Sequence, residues 1–147
     1  FNLKDGHLIP MVMHRFYNEF HSYKHAHPEE EFVAYGTGKP LRQFLYAPDF
    51  SKIICKILFG EINNGTIICC PDEEITIKEL VGKIADTMMI PRKSILWDTT
   101  KSDGCMKKTV TNKKFKSLYP DFKFTPVEEG LKYMYSWFNE NYSSIRK

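Results

Sequence analysis

Helix-like and strand-like segments alternate along this chain of 147 residues, and this alternation constrains its fold more than any other feature. Residues 9–23 carry apolar side chains at the three- and four-residue spacing of an amphipathic helix. Residues 31–35 and 66–70 are short apolar runs that favour strands, and the β-branched composition of the second run predicts that it is buried. Strands that alternate with helices predict an α/β fold.

Local signals predict three further elements in the middle of the chain. Residues 43–46 and 95–97 are apolar enough to form two short strands. A helix is expected to begin at Pro48 and to end at Gly60, because proline suits a first turn and glycine commonly follows the last one.

Two capping boxes predict where the two remaining helices begin. Thr76 and Glu79 have the spacing at which a threonine side chain accepts a hydrogen bond from the third amide of a helix. Thr125 and Glu128 repeat this spacing, with Pro126 between them. We therefore expect Thr125 to cap the last helix and Pro126 to occupy its first position.

Composition excludes several classes of protein. The chain is 42% hydrophobic and 27% charged, which is typical of a folded globular domain rather than a disordered one. It contains neither an apolar run long enough to cross a bilayer nor a secretory signal pattern. A formal net charge of +3 disfavours the alternative of a nucleic-acid module that uses the aromatic residues and lysines. We expect a cytoplasmic protein without nucleic-acid or membrane partners.

The four cysteines favour reduced thiols over a disulfide framework or a zinc site. Cys69 and Cys70 are adjacent, so in a strand they would point to opposite faces, which is poor geometry for a shared metal. Gly36 and Gly38 form a glycine pair that precedes a proline and a strand rather than a helix. A simple turn is therefore favoured over a phosphate site there.

Histidine and arginine supply the first candidates for chemistry. His7 lies just before the first predicted helix, where it could act as a general acid or base, although a surface histidine bonded to Asp5 is the alternative. Arg15 and Arg42 would suit a diphosphate if both reached one cleft, because guanidinium groups bind phosphate oxygens in pairs. The alternatives are a solvated Arg15 and an ion pair between Arg42 and Asp49.

A polar loop and one tyrosine complete the set of candidates. Asp103 could accept two hydrogen bonds from a guanine edge, and Lys107 and Lys108 could contact phosphate. An Asp-Gly turn with solvated lysines is the alternative for that loop. Tyr35 could stack on a base or sugar, although packing in a core is the more common role of such a residue.

These residues lie in stretches that resemble the carboxyl-terminal half of members of the GDP-L-fucose synthase family. The members of this family are extended short-chain dehydrogenases. The matching stretches occur in the same order from one end of the chain to the other: DGHLIP at 5–10, GTGKPLRQF at 36–44, DTTKSDG at 98–104, YPDFKFTP at 119–126, and WF at 137–138. The DTTKSDG string is the specific one, whereas RQF alone would indicate only the wider superfamily.

The resemblance implies a role for each candidate residue. His7 matches the histidine that works as an acid or base during epimerisation and that faces the cofactor. Substrate-binding positions of the family match the remaining candidates: Arg15, Tyr35, Arg42, Asp103 and Lys108. Tyr35 departs from the tryptophan that is usual in the family. Cys105 is not the catalytic cysteine of the family, which lies in the other half.

The resemblance also implies what the chain lacks. The dinucleotide-binding glycine motif, the reductase serine with its Tyr-x-x-x-Lys pair, and the catalytic cysteine are absent from residues 1–147. We expect the whole protein to be a homodimer that epimerises GDP-4-keto-6-deoxy-D-mannose at C3 and C5 and reduces C4 with NADPH. Residues 1–147 would form its carboxyl-terminal substrate-binding region, inactive alone, with strand 66–70 in the Rossmann sheet of the missing NADP(H)-binding half. A non-catalytic nucleotide-sugar binding module, and another nucleotide-sugar epimerase or dehydratase, are the alternatives.

Overall fold

A computed structural model describes residues 6–20, 31–60 and 65–145. Five α-helices and five short strands occur in these ranges. The helices are α1 (Leu8–Phe20), α2 (Ala47–Leu58), α3 (Ile77–Thr87), α4 (Lys113–Leu118) and α5 (Val127–Asn141). The strands are β1 (Phe32–Tyr35), β2 (Leu41–Arg42), β3 (Ile75–Thr76), β4 (Ile95–Asp98) and β5 (Lys107–Lys108). Two short 3-10 helices lie at Arg92–Ser94 and Tyr142–Ser144.

The described strands form two small sheets. β1 and β4 are parallel, with Phe32 opposite Ile95 and Tyr35 opposite Asp98. β2 lies between β3, which is antiparallel to it, and β5, which is parallel. Parallel pairing of strands that are far apart in sequence requires crossover connections, so the predicted α/β class is confirmed.

The hydrophobic core joins three helices, α1, α3 and α5, to strands β1 and β3. α1 buries Val12, Met13 and Phe16, the residues that its three- and four-residue spacing predicted. Phe16 packs against Phe32 of β1 with ring centroids 4.3 Å apart. The buried faces of α3 and α5 complete the same cluster, including Leu80, Ile84 and Leu131. None of the described helices combines the length and the hydropathy that a membrane crossing requires.

The elements with local signals lie close to their predicted positions. The Thr76 hydroxyl accepts a hydrogen bond from the Glu79 amide at 3.1 Å, as the capping box predicted. Gly36 and Gly38 have φ angles of 84° and 71°, which confirms a turn there. β2, β3, β5 and α4 were not predicted. Tyr23, expected in the first helix, lies outside the described residues.

Two predicted strands do not form in the described chain. Residues 43–46 do not extend β2, because the Gln43 side chain forms the hydrogen bonds that the backbone of a longer strand would form. Its amide oxygen accepts a bond from the Val110 amide at 2.8 Å, and its nitrogen donates to the carbonyls of Val110 and Pro71. Residues 66–70 are neither in a strand nor fully buried, since no described strand lies beside them. The strand prediction for residues 43–46 was wrong. Residues 66–70 form no strand within the described chain, and their place in a sheet of the whole protein stays a prediction.

The start of α5 also differs from its prediction. Pro126 is the residue that precedes the first helical one, and no side-chain cap is formed. The Thr125 amide instead donates to the buried carboxylate of Asp49 at 2.6 Å. Asp49 is 1% exposed and also accepts a bond from Lys52 at 3.1 Å. A carboxylate from α2 therefore anchors the segment that leads into α5, in place of the predicted capping box.

Removing the Asp49 carboxylate is expected to destabilise the fold. Burial raises the pKa of Asp49, but the hydrogen bonds from Thr125 and Lys52 lower it by more. We expect Asp49→Ala to reduce the free energy of unfolding by about 1.5–3 kcal/mol at neutral pH, because it leaves a partly buried amide unpaired. Urea titration of the chain measures this loss.

The pH dependence of unfolding gives an independent check. Because the folded pKa of Asp49 is lowered, its stabilisation is complete above the unfolded pKa of about 3.9 and is lost as the pH falls towards the folded value. Asp49→Ala should remove this component. Lys52 is 65% exposed, so Lys52→Ala should cost less than about 1 kcal/mol. Equal losses in both variants would contradict the anchoring role.

Candidate functional site

A cavity of about 1070 Å³ collects residues from distant parts of the chain. The residue before α1, the end of β2 and the loop after β4 each supply one polar side chain, and these are His7, Arg42 and Asp103. Residues 44–47 and the beginning and middle of α5 supply most of its apolar wall. Three of the candidate residues therefore meet at one site, although Arg42 and Asp103 are 61 positions apart.

His7 lies on the cavity wall immediately before the first turn of α1. Its backbone carbonyl accepts a hydrogen bond from the Met11 amide at 3.1 Å, which fixes the residue to the helix. Its side chain is exposed to the cavity, as a group that exchanges protons with a ligand must be. Asp5, its alternative partner, lies outside the described residues.

Arg42 reaches the cavity from β2, the central strand of the three-stranded sheet. One of its nitrogens donates to the Leu41 carbonyl at 2.7 Å. Asp49 bonds to Lys52 and Thr125 instead, so the alternative of an ion pair between Arg42 and Asp49 is not formed. A guanidinium has five N–H groups, and this arrangement leaves it able to bind an anionic ligand in the cavity.

Asp103 lines the cavity but also holds the protein together. Its two carboxylate oxygens accept hydrogen bonds from the Thr37 amide and the Thr37 hydroxyl, each at 2.6 Å. The hydrogen bond from the Thr37 hydroxyl is the main reason why the pKa of Asp103 lies below its ordinary value, and the hydrogen bonds from backbone amides lower it further. The carboxylate of Asp103 is therefore ionised, and its hydrogen bonds go to Thr37, within the turn that contains Gly36 and Gly38.

The structure does not bring the other three candidates to the cavity wall. The Arg15 guanidinium lies 4.3 Å from the centre of the Phe32 ring and donates to the Val33 carbonyl at 3.1 Å. Tyr35 is 65% exposed on β1. Lys108 is exposed on β5, where the strand register places it opposite Arg42. Direct substrate contacts of these three residues stay predictions.

Comparison with known proteins matches this chain from end to end. No family model matches it. The GDP-L-fucose synthase of Dictyostelium discoideum is 36% identical over 149 residues, which cover 100% of the chain and 44% of the relative. A probable GDP-L-fucose synthase of Drosophila melanogaster is 34% identical, with similar coverage. The chain belongs to the GDP-L-fucose synthase family. It spans less than half the length of the relatives that it matches.

Solved structures agree with this membership. A GDP-L-fucose synthetase from Naegleria fowleri superimposes with a TM-score of 0.88 at 36% identity, over 100% of this chain and 43% of that one. The same protein has been solved bound to NADP. A dTDP-glucose 4,6-dehydratase from Bacillus anthracis superimposes with a TM-score of 0.75 at 18% identity, and the match covers 94% of this chain and 40% of the dehydratase chain. At this identity the likeness shows a shared fold alone. The chain thus has the fold of an extended short-chain dehydrogenase and corresponds to the carboxyl-terminal part of its family.

Sequence reasoning missed the aromatic end of the cavity. Tyr46 and Tyr133 stack with ring centroids 6.0 Å apart and an interplanar angle of 27°. Trp137 lies one turn further along α5 and also lines the cavity. The available signal was the four-residue spacing of Tyr133 and Trp137, away from the buried stripe of α5. Stacked rings of this kind offer an apolar wall to a ring-shaped ligand.

The described residues do not fit a complete dinucleotide site. The turn at Gly36 and Gly38 leads into β2, and the Gly38 carbonyl accepts a hydrogen bond from the Lys78 amide near the start of α3. A phosphate cradle needs free backbone amides at a helix start, and this turn offers none of that kind. No group of three or more potential metal ligands occurs among residues 6–20, 31–60 and 65–145.

Adding one methyl group at Gly36 is expected to disturb the site. A Cβ there would overlap Asp103 Oδ1, and the φ of +84° already disfavours any other residue. We expect Gly36→Ala to cost about 2–4 kcal/mol of stability, from backbone strain together with lost hydrogen bonds to Asp103. Urea unfolding measures the loss, and the amide resonance of Thr37 reports the broken contact.

Gly104 provides the matched control for this substitution. Its φ of +67° is similar, but a Cβ there would meet nothing within 4 Å. Gly104→Ala should therefore cost only the backbone strain, about 1–2 kcal/mol. If the two variants lose the same stability, the contact between Gly36 and Asp103 does not support the site.

Proposed function

We propose that this chain supplies the substrate-binding part of an NADP-dependent enzyme that converts GDP-4-keto-6-deoxy-D-mannose to GDP-L-fucose. The observation that carries the proposal is the meeting of His7, Arg42 and Asp103 in one cavity. Membership of the GDP-L-fucose synthase family supports a GDP-sugar as the substrate. The whole protein would be a cytoplasmic homodimer, and this chain alone would not turn over substrate.

His7 is the group of this chain suited to epimerisation. A ketone at C4 makes the protons at C3 and C5 acidic, and inversion needs removal from one face and return on the other. The imidazole can accept or donate such a proton near neutral pH. Its position on the cavity wall, exposed yet fixed by the first turn of α1, supports this assignment.

Arg42 is the group suited to the diphosphate of the substrate. Its guanidinium lies in the same cavity as His7, and it can bind two phosphate oxygens at once. Lys108 lies opposite it on β5 and adds positive charge to that edge of the sheet. Asp103 fixes the adjoining turn through Thr37, so its contribution to guanine recognition would use the lone pairs that Thr37 leaves open.

NADPH, when bound, supplies the hydride that reduces C4. Since the described residues form no phosphate cradle, we propose that the amino-terminal part of the whole protein holds most of the cofactor, outside residues 1–147. His7 is then the residue of this chain expected to face it. The Naegleria fowleri relative, solved with NADP and more than twice as long as its matched part, supports this division.

A proton-transfer assay tests the role of His7. We would replace the matched part of the Dictyostelium discoideum relative by this chain and follow deuterium incorporation from solvent at C3 and C5 of the substrate. His7→Gln should lower the rate about 10²–10⁴-fold, as loss of a general acid or base does, with little change in GDP affinity. His14→Gln is the control, because His14 bonds to Asn18 and does not line the cavity. An unchanged rate in His7→Gln would remove His7 from this role, whereas a chimaera that binds GDP without any deuterium incorporation would favour a non-catalytic binding module.

A binding assay tests the role of Arg42. Arg42→Ala should weaken GDP binding about 10–100-fold in the same chimaera, since charge-assisted hydrogen bonds to phosphate are lost. Arg15→Ala should have a smaller effect, because Arg15 contacts Phe32 and Val33 rather than the cavity. Isothermal titration calorimetry measures both affinities. A larger loss of GDP affinity in Arg15→Ala than in Arg42→Ala would instead indicate that the diphosphate binds beside Arg15 on α1.

A further inference from the structure

The side chain and the backbone of Thr37 together hold both oxygens of one carboxylate. The Thr37 amide donates to Asp103 Oδ1 and its hydroxyl donates to Asp103 Oδ2, each at 2.6 Å, across 66 positions of sequence. The same hydroxyl oxygen accepts a bond from the Lys39 amide at 3.2 Å. A hydroxyl has a single proton, so this donor on its lone-pair side directs that proton to Asp103. The carboxylate therefore cannot turn about its Cβ–Cγ bond without breaking both contacts.

Thr37 can act on a ligand through this carboxylate. Among the described residues that line the cavity, Asp103 is present and Thr37 is not. An ionised carboxylate offers about four lone-pair sites and has no proton to donate. The Thr37 amide and hydroxyl occupy one site on each oxygen, and the Gly38 amide also interacts with the carboxylate. At least one acceptor site stays open, and its orientation is set by Thr37.

The same contacts keep the Asp103 side chain charged. The hydrogen bond from the Thr37 hydroxyl is the main reason why the pKa of Asp103 is lowered, and the nearby positive charge of Lys39 acts in the same direction. At neutral pH the group is therefore an acceptor only. A bound base must present an N–H group to it, because a lone pair in that place would be repelled and left without a partner.

Purine bases differ in what they present to such an acceptor. The edge of guanine carries N–H donors at N1 and N2, whereas adenine has a lone pair at N1. We propose that Thr37 is a positioning residue that sets the base specificity of the nucleotide site, by holding Asp103 as a fixed acceptor for the N–H groups of guanine. This inference rests on the proposed function, since it requires the nucleotide of the substrate to occupy this cavity.

A second threonine–aspartate pair in the chain provides a matched control. The Thr100 amide and hydroxyl donate to Asp98 Oδ1 at 3.0 and 2.5 Å, and these bonds lower the pKa of Asp98 in the same way. Neither residue of this pair is among the described residues that line the cavity. Thr100→Val therefore removes the same kind of hydrogen bond as Thr37→Val and leaves the ligand site intact.

Nucleotide binding to the chimaera that tests His7 also tests this role of Thr37. Thr37→Val keeps the size of the side chain and removes its hydroxyl. The affinity for GDP should fall about 10-fold, because the carboxylate that accepts from guanine is no longer held in place. The affinity for ADP should stay the same or rise, and that for pyrophosphate should change less than about twofold, since Arg42 is untouched. Isothermal titration calorimetry measures all three affinities.

Two further variants complete the comparison. Thr37→Ser restores the hydroxyl and should retain both the GDP affinity and the preference for GDP over ADP. Thr100→Val should leave both unchanged. An unchanged ratio of GDP affinity to ADP affinity in Thr37→Val would overturn the proposal. So would an equal loss of affinity for GDP, ADP and pyrophosphate, because that result shows a merely structural role.

The unsubstituted chimaera allows a second test that does not depend on the folding of a variant. GDP should shift the carboxyl carbon resonance of Asp103 and the amide resonance of Thr37, because the base would bind the carboxylate that Thr37 holds. Pyrophosphate should shift neither resonance. Equal shifts with GDP and with pyrophosphate, or no shift with GDP, would refute the assignment.

The outcomes also separate this inference from the proposed function. A chimaera that loses its preference for GDP in Thr37→Val, but incorporates no deuterium at C3 and C5, would refute the function and keep the specificity role. A chimaera that epimerises substrate while Thr37→Val keeps the preference for GDP would keep the function and refute the specificity role.

Discussion

Two hydrogen bonds between Thr37 and Asp103 hold the polar side of the cavity in place. They join the turn that follows β1 to the loop that follows β4. The parallel pairing of these strands has already brought the two segments together, and a bond from the Gly36 amide to the Asp98 carbonyl extends that ladder by one step. Gly36 is required because a side chain there would occupy the position of the carboxylate. The approach of Arg42 to the cavity depends on this arrangement, since the same turn leads into β2.

Features that depend on neighbours in sequence could be predicted from the sequence. The buried stripe of α1, the cap at Thr76 and the turn at Gly36 each follow from a few adjacent residues, and each is present. The start of α5 could not be predicted in this way. Thr125 has the right spacing for a cap, but the tertiary contact with Asp49 gives its amide a charged partner and keeps Pro126 out of the helix.

The same distinction applies to the candidate site. The resemblance named residues by their motifs, and His7, Arg42 and Asp103 do meet in one cavity. It could not show that the carboxylate of Asp103 is already bonded to Thr37, or that Arg15 turns towards Phe32. Both outcomes are set by which strands pair. The strand predicted at residues 66–70 had the right composition, and a strand forms only where a neighbouring strand supplies its hydrogen bonds.

The amide side chain of Gln43 has a consequence for the shape of the ligand site. By bonding to both backbone groups of Val110, it imitates one residue of a ladder and lets the main chain leave the sheet directly after Arg42. The next four residues are then released to line the cavity and lead into α2. Had the ladder continued through them, the rings of Phe44 and Tyr46 would be committed to a sheet. A single side chain that substitutes for backbone thus converts the end of a strand into the floor of a binding pocket.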